Sequence, residues 1–261
     1  MLNIFIGIFA FIIGAFLGSF CTLAVYRIPL KQDITHERSY CVNCKHRLEF
    51  LDLIPILSYI FLRGKCRYCG QKIRPRYLLL EVFFGLTYMM FILSLNIDVL
   101  NISITSAFGT VFSTLYLVSL FLIAGIDKEY RNIHHSVLLL GILSQVVYMV
   151  YLYILDFNVY RYVIYLVFAF IFLCLSYRYY KKEKHNNYIL QILSLLMFMC
   201  SFTNTYLMIL TIILSLIYIL GLKIIRKEKD ITSIPIGFIL CIFNILLLII
   251  GNFIGLGVII K

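Results

Sequence analysis

Apolar runs of about 15 to 25 residues recur along this chain, at 4–25, 77–95, 102–126, 136–155, 162–177, 188–202, 206–222 and 234–254. A helix needs roughly 20 such residues to cross a hydrocarbon core of about 30 Å, whereas a barrel strand needs about half as many and alternates polar with apolar positions. Lipid offers no partner to a bare N–H or C=O, so runs of this length and evenness specify helices. With 62% hydrophobic and 13% charged residues among 261, the chain carries more apolar surface than a soluble domain of its size could bury. The expected fold is all-α: a polytopic membrane protein of about eight transmembrane helices, interrupted by one long polar loop.

The formal charge of +11 could point to nucleic acid, but the cations lie in short loops beside apolar runs, where the positive-inside rule accounts for them. The lipid bilayer, and no nucleic acid, is the expected partner. When eight spans alternate sides, the loops 27–76, 128–131, 178–184 and 223–229 fall together. They hold all of the 23 Lys and Arg except Arg161 and Lys261. That side is expected to be cytoplasmic, with both termini outside. The first run has no Lys or Arg ahead of Arg27, and Phe20 precedes Cys21, so it is expected to stay as an anchor rather than be removed as a signal peptide. Its Gly7, Gly14, Gly18 and Ser19 leave a thin face for another helix to approach. The chain then divides into a first helix at 1–26, a polar loop at 27–76 and a helical core of seven spans at 77–261.

The polar loop holds Cys41-x-x-Cys44 and Cys66-x-x-Cys69. Two such pairs can close a tetrahedral zinc site, each pair ligating from a tight turn. Two disulfides are the competing reading. Cytosolic thiols are kept reduced, so on the expected cytoplasmic side a zinc-bound thiolate knuckle is the better assignment, structural because four thiolates leave no open position. Cys21, Cys174, Cys200 and Cys241 lie in apolar runs without partner spacing, and read as small apolar residues.

Several segments carry a resemblance. GSFCTLAVYRIP at 18–29 and LIPILSYIFLRGKCRYCGQKIRPRYLLLE at 53–81 resemble the type IV prepilin leader peptidase/N-methyltransferase family, with weaker matches in LFLIAGIDKEYRNI at 120–133 and SIPIGFIL at 233–240. Members of that family cut basic leaders from pilin-like precursors at the cytoplasmic face of the bacterial plasma membrane. They then methylate the new amino terminus with S-adenosylmethionine. The resemblance therefore implies prepilin or pseudopilin substrates, a type IV pilus or secretion setting, and an aspartic-protease-like cleavage. Such cleavage needs two carboxylates sharing one proton, one activating water and the other polarising the scissile carbonyl.

On the family pattern Asp127 takes the place of the first catalytic aspartate. The residues after it depart from the pattern, reading Ile133-His134-His135; the two histidines could tune Asp127, contact a substrate, or simply sit solvated at a helix start. The family's second aspartate, in a glycine-x-glycine-aspartate motif, has no counterpart. Asn186 falls in its position and Tyr188 where a lysine follows, within KKEKHNNYILQIL at 181–193. Asparagine neither takes nor gives the catalytic proton. Glu183, Asp230 and Glu81 are possible substitute acids; Glu183 and Asp230 are flanked by lysines as solvated pairs would be. Glu81 matches a family position and, as an acid inside an apolar run, is either a site residue or a buried hydrogen-bond partner. The implied function is prepilin cleavage with N-methylation. The alternative is a peptidase-impaired relative that methylates or binds prepilins. A transporter is disfavoured, since Glu81 is nearly the only charge within the spans.

Overall fold

The computed structural model describes residues 2–96, 103–183, 187–226 and 234–256. Among these residues the chain is helical, and no strand forms beyond two isolated bridges, Tyr40 to Arg47 and Lys65 to Lys72. It divides into two compact units, Met1–Asn96 and Ile97–Lys261.

The first unit contains α1 (Leu2–Arg27), a 3₁₀ turn at Phe50–Asp52, the short α2 (Leu57–Phe61) and α3 (Arg76–Ser94). Helices α1 and α3 run antiparallel, and glycine sets how closely they approach. A methyl on Gly14 would lie 2.7 Å from Tyr88 Cβ and 3.0 Å from Gly85 Cα; one on Gly18 would lie 2.7 Å from Phe84 Cβ. Small residues replace bulk along this seam because lipid gives helices no hydrophobic reason to associate, and contact must come from close packing. The thin face anticipated from the sequence is therefore the face used. Ala10, Ala15, Ala24, Phe84, Tyr88 and Phe91 are buried, while Phe5, Phe9, Leu79 and Phe83 face outward.

The second unit contains α4 (Ile104–Tyr130), α5 (His135–Ile154), α6 (Tyr160–Glu183), α7 (Tyr188–Cys200), α8 (Thr205–Arg226) and α9 (Ile236–Ile254). Helix α4 packs on α5 and α9, α8 on α9, and α6 on α7 and α5. Tyr116 of α4 lies fully buried, stacked 4.2 Å from the Phe202 ring, with its hydroxyl donating to Asn244 Oδ1 at 2.7 Å. A buried phenol usually finds such a partner.

Among the described residues, seven helices are long and apolar enough to cross a membrane, and large apolar side chains cover their outer faces, an exposure that only lipid makes tolerable. The chain is a multi-pass membrane protein. The run at 188–202 gives a shorter element, α7, of 13 residues. At 1.5 Å per residue it spans about 20 Å, less than the hydrocarbon core. Just past its end, Ser201 Oγ bonds Phe198 O at 2.6 Å and Thr203 Oγ1 bonds Met199 O at 2.8 Å, beside the backbone N–H groups of Phe202 and Thr203, which reach Met199 O at 3.1 and 3.0 Å.

The glycine seam is testable. Gly14→Ala should destabilise the first unit by about 1–3 kcal/mol in equilibrium unfolding in mixed micelles, the usual cost of overpacking. Gly7→Ala, whose methyl would meet only Leu93 and Met89 side chains at 3.6 Å or more, should be close to neutral.

Candidate functional sites

The four cysteines of the polar loop come together. Sγ of Cys41, Cys44, Cys66 and Cys69 all lie within 4.8 Å of one another, and Cys41 and Cys69 sulfurs are 3.9 Å apart. Two ligands on one tetrahedral zinc, each about 2.3 Å from the metal, are separated by nearly that distance. The cluster therefore fits a metal ion in size and donor set.

Its geometry follows from a short repeat, CVNCKHR and CRYCGQK. In each copy the first cysteine's N–H donates to the carbonyl five residues on, Cys41 to His46 at 3.0 Å and Cys66 to Gln71 at 2.8 Å. The residue after the second cysteine returns its N–H to the first, Lys45 to Cys41 O at 2.9 Å and Gly70 to Cys66 O at 3.0 Å. Both of those residues have positive φ, 58° and 71°. Glycine takes that conformation freely and lysine does not. Across the copies, the His46 and Tyr68 rings meet tilted at 3.6 Å, and Asp52, between the copies in sequence, pairs with Arg67 Nε at 2.8 Å.

Electrostatics favour a cation here. The Gln71 backbone N–H, then the Asn43 side-chain amide, draw the Cys69 thiol down to about 6, and Cys41 is held low first by the Cys44 backbone N–H. At Cys44 the His46 N–H lowers the thiol, but desolvation and the neighbouring Cys41 and Cys69 sulfurs outweigh it and carry it up to about 11. Adjacent thiolates oppose one another until a positive charge is shared among them.

The second site lies in the unit Ile97–Lys261, around Asp127 in the last turn of α4, which is fully buried. Tyr188 Oη donates to its Oδ1 at 2.8 Å, and the backbone N–H of Phe238 donates to its Oδ2 at 2.9 Å. Tyr188 Oη in turn accepts from Gly237 N at 3.2 Å. These two N–H groups belong to the first turn of α9, whose N-cap is Pro235 with no side-chain cap. The orphan donors at that helix start are thus satisfied by a carboxylate and a phenol from two other helices, at the end where the helix dipole favours negative charge. The approach requires Gly237, since a methyl there would sit 3.1 Å from Asp127 Oδ2. Lys128 Nζ stands 4.9 Å over the Phe238 ring.

The remaining candidates scatter. Glu183 ends α6 and pairs with Lys182 at 3.6 Å. His134 is the N-cap of α5, and His135 Nε2 meets Ser176 Oγ at 3.0 Å. Glu81 Oε2 accepts from the backbone N–H of Ile56 at 2.8 Å, so it serves at least as a hydrogen-bond partner. Asn186 and Asp230 lie outside the described residues. Tyr188 stood out in the sequence only as a departure from a lysine; its contact with Asp127 spans 61 residues and no local pattern announces it.

Residues 12–95 match the bacterial peptidase A24 N-terminal domain. The chain is 42% identical over 81 residues to the prepilin leader peptidase/N-methyltransferase of Myxococcus xanthus, covering 31% of this chain and 24% of that one. It is 37% identical over 92 residues to the protein of the same name from Vibrio cholerae, covering 32% and 36%, and 48% identical over 67 residues to that of Bacillus subtilis, covering 26% and 27%. The aligned part is thus about a quarter to a third of each relative's length. No solved structure matches the chain. Residues 12–95 thus resemble the N-terminal domain of bacterial A24 peptidases; Asp127 and helices α4 to α9 lie beyond the matched residues.

The cysteine cluster makes a direct prediction. Elemental analysis of the purified chain should find about one zinc, lost in Cys66→Ser because three thiolates and a hydroxyl bind it far more weakly. Full occupancy in that variant, or disulfides among these four cysteines in freshly lysed cells, would contradict the assignment.

Proposed function

We propose that this chain is a prepilin leader peptidase/N-methyltransferase: it cleaves the basic leader of type IV pilin-like precursors at the cytoplasmic face of the bacterial plasma membrane and methylates the new amino terminus. The observation that carries this reading is the shared N-terminal domain, with its cysteine knuckle and its identity to relatives bearing that name. On this reading the basic loops, and with them the zinc knuckle, face the cytoplasm. Zinc is the metal that four closed thiolates favour, and its contribution is structural. Asp127 is the catalytic carboxylate, placed at a helix N-terminus that stabilises its charge. S-adenosylmethionine is the methyl donor implied by the N-methyltransferase name of the relatives.

A second reading, the peptidase-impaired relative, rests on the family resemblance, by which Asn186 falls where the second aspartate would stand; each oxygen of Asp127 is engaged by an internal donor, Tyr188 or Phe238. One carboxylate cannot be ionised to activate water and protonated to polarise the carbonyl at the same moment.

Membranes incubated with a tagged prepilin, with product masses read, separate the two, since cleavage and methylation change mass differently. Cleavage by the unmodified chain that is lost in Asp127→Asn supports the first reading. Methylation of a pre-cut pilin without cleavage, with cleavage appearing in Asn186→Asp combined with Glu183→Gly and His185→Gly, supports the second; the gain should be on the order of 10²–10⁴-fold and Asp127-dependent. Cleavage that survives Asp127→Asn contradicts the role given to Asp127.

A further inference from the structure

Two charged residues of the first unit reach out of the α1/α3 pair to the backbone of the cysteine loop. Arg27, at the end of α1, is buried at 3% exposure. Its Nη1 donates to Asp33 O at 2.7 Å and Glu37 O at 2.8 Å, and its Nη2 to Arg38 O at 3.4 Å. One guanidinium thus gathers three carbonyls of the strand of chain leading into Cys41. The rigid fork of donors suits this; a lysine ammonium could not span them in the same way.

Glu81 performs the complementary task. It rises from the α1/α3 seam, where Gly18 leaves room for its backbone, and its carboxylate takes the N–H of Ile56. Ile56 has φ 64° and ψ −54°, and Leu57 N bonds Pro55 O at 2.6 Å. That is a γ-turn with positive φ, rare for any residue and strongly disfavoured for a β-branched one. Such a conformation persists only where the surroundings impose it. From Ile56 the chain passes through α2 directly to the second knuckle: Tyr59 of α2 packs on Gly64, and Ile73 N returns to Gly64 O at 2.7 Å.

We propose that Arg27 and Glu81 are paired positioning residues that fix the four-cysteine arm to the α1/α3 helices, Arg27 holding the approach to Cys41 and Glu81 holding the strained turn before Cys66. Neither touches a sulfur; each acts through backbone. The cysteines close the arm on itself, and these two charges set where it stands. The inference concerns the arm alone, so a chain with no action on prepilins passes or fails its test equally.

Amide hydrogen exchange on the full chain in nanodiscs provides that test. Glu81→Ala should raise exchange across 54–62 by about ten-fold or more, the scale expected for losing a hydrogen bond to a charged acceptor, while 33–40 and the interiors of α1 and α3 keep wild-type protection. Arg27→Met should do the reverse, loosening 33–40 and sparing 54–62. Glu81→Gln, which keeps an acceptor oxygen, should recover part of the protection. Ile56→Gly in the Glu81→Ala background should recover more, because glycine takes positive φ without penalty. Wild-type exchange in both segments, a uniform rise that includes α1 and α3, or no recovery with Ile56→Gly would overturn the proposal.

Discussion

The second unit depends on a single carboxylate placed where burial would otherwise make it untenable. Asp127 is fully buried, and an ionised carboxyl without partners costs several kcal/mol in such surroundings. The chain offsets this by bringing the start of α9 and the start of α7 to the end of α4, so that Phe238 N–H and Tyr188 Oη each meet one oxygen. The same contacts solve a second problem. Pro235 leaves α9 without a side-chain cap, and its first free N–H groups find their acceptors in Asp127 and Tyr188. A residue that family resemblance assigns to catalysis is therefore also a joint among three helices, and its two oxygens are committed to that joint in this conformation. Any action on a peptide must release at least one of those hydrogen bonds or work beside them.

The first unit solves the opposite problem, how to hold a polar arm firmly beside two apolar helices. Its loop is too short and too polar to build a hydrophobic core. Closure comes instead from four sulfurs converging within 4.8 Å, from the repeated turn that presents each pair, and from ring and ion-pair contacts between the copies. The copies are not equally relaxed. Gly70 adopts its positive φ freely, while Lys45 holds the same conformation with a side chain, so the second knuckle is the better formed on local grounds.

Much of this was legible in the sequence. Apolar run length gave the helices, because lipid leaves the backbone no other choice. The paired CxxC spacing pointed to the four-cysteine cluster, because ligand geometry is encoded within each turn. Gly7, Gly14 and Gly18 marked the packing face of α1. What stayed hidden depended on distant partners. Nothing local to Tyr188 points to Asp127, and the partner of Glu81 is a backbone N–H whose availability follows from a conformation that isoleucine rarely takes. The end of α7 was blurred for a different reason: Ser201 and Thr203 look tolerable in an apolar run, and hydroxyls bonded back to preceding carbonyls as theirs are also occur inside longer helices, as at Thr110 and Thr211.

The central claim is that the Asp127 carboxylate and the Tyr188 hydroxyl act as one structural unit at the start of α9. A double-mutant cycle on unfolding free energy in mixed micelles measures this directly, using Tyr188→Phe, Asp127→Ala and the pair. The account predicts that Tyr188→Phe costs about 1–3 kcal/mol in the wild-type chain and clearly less once Asp127 is gone, where only the Gly237 N–H loses its acceptor. Equal costs in both backgrounds would contradict it.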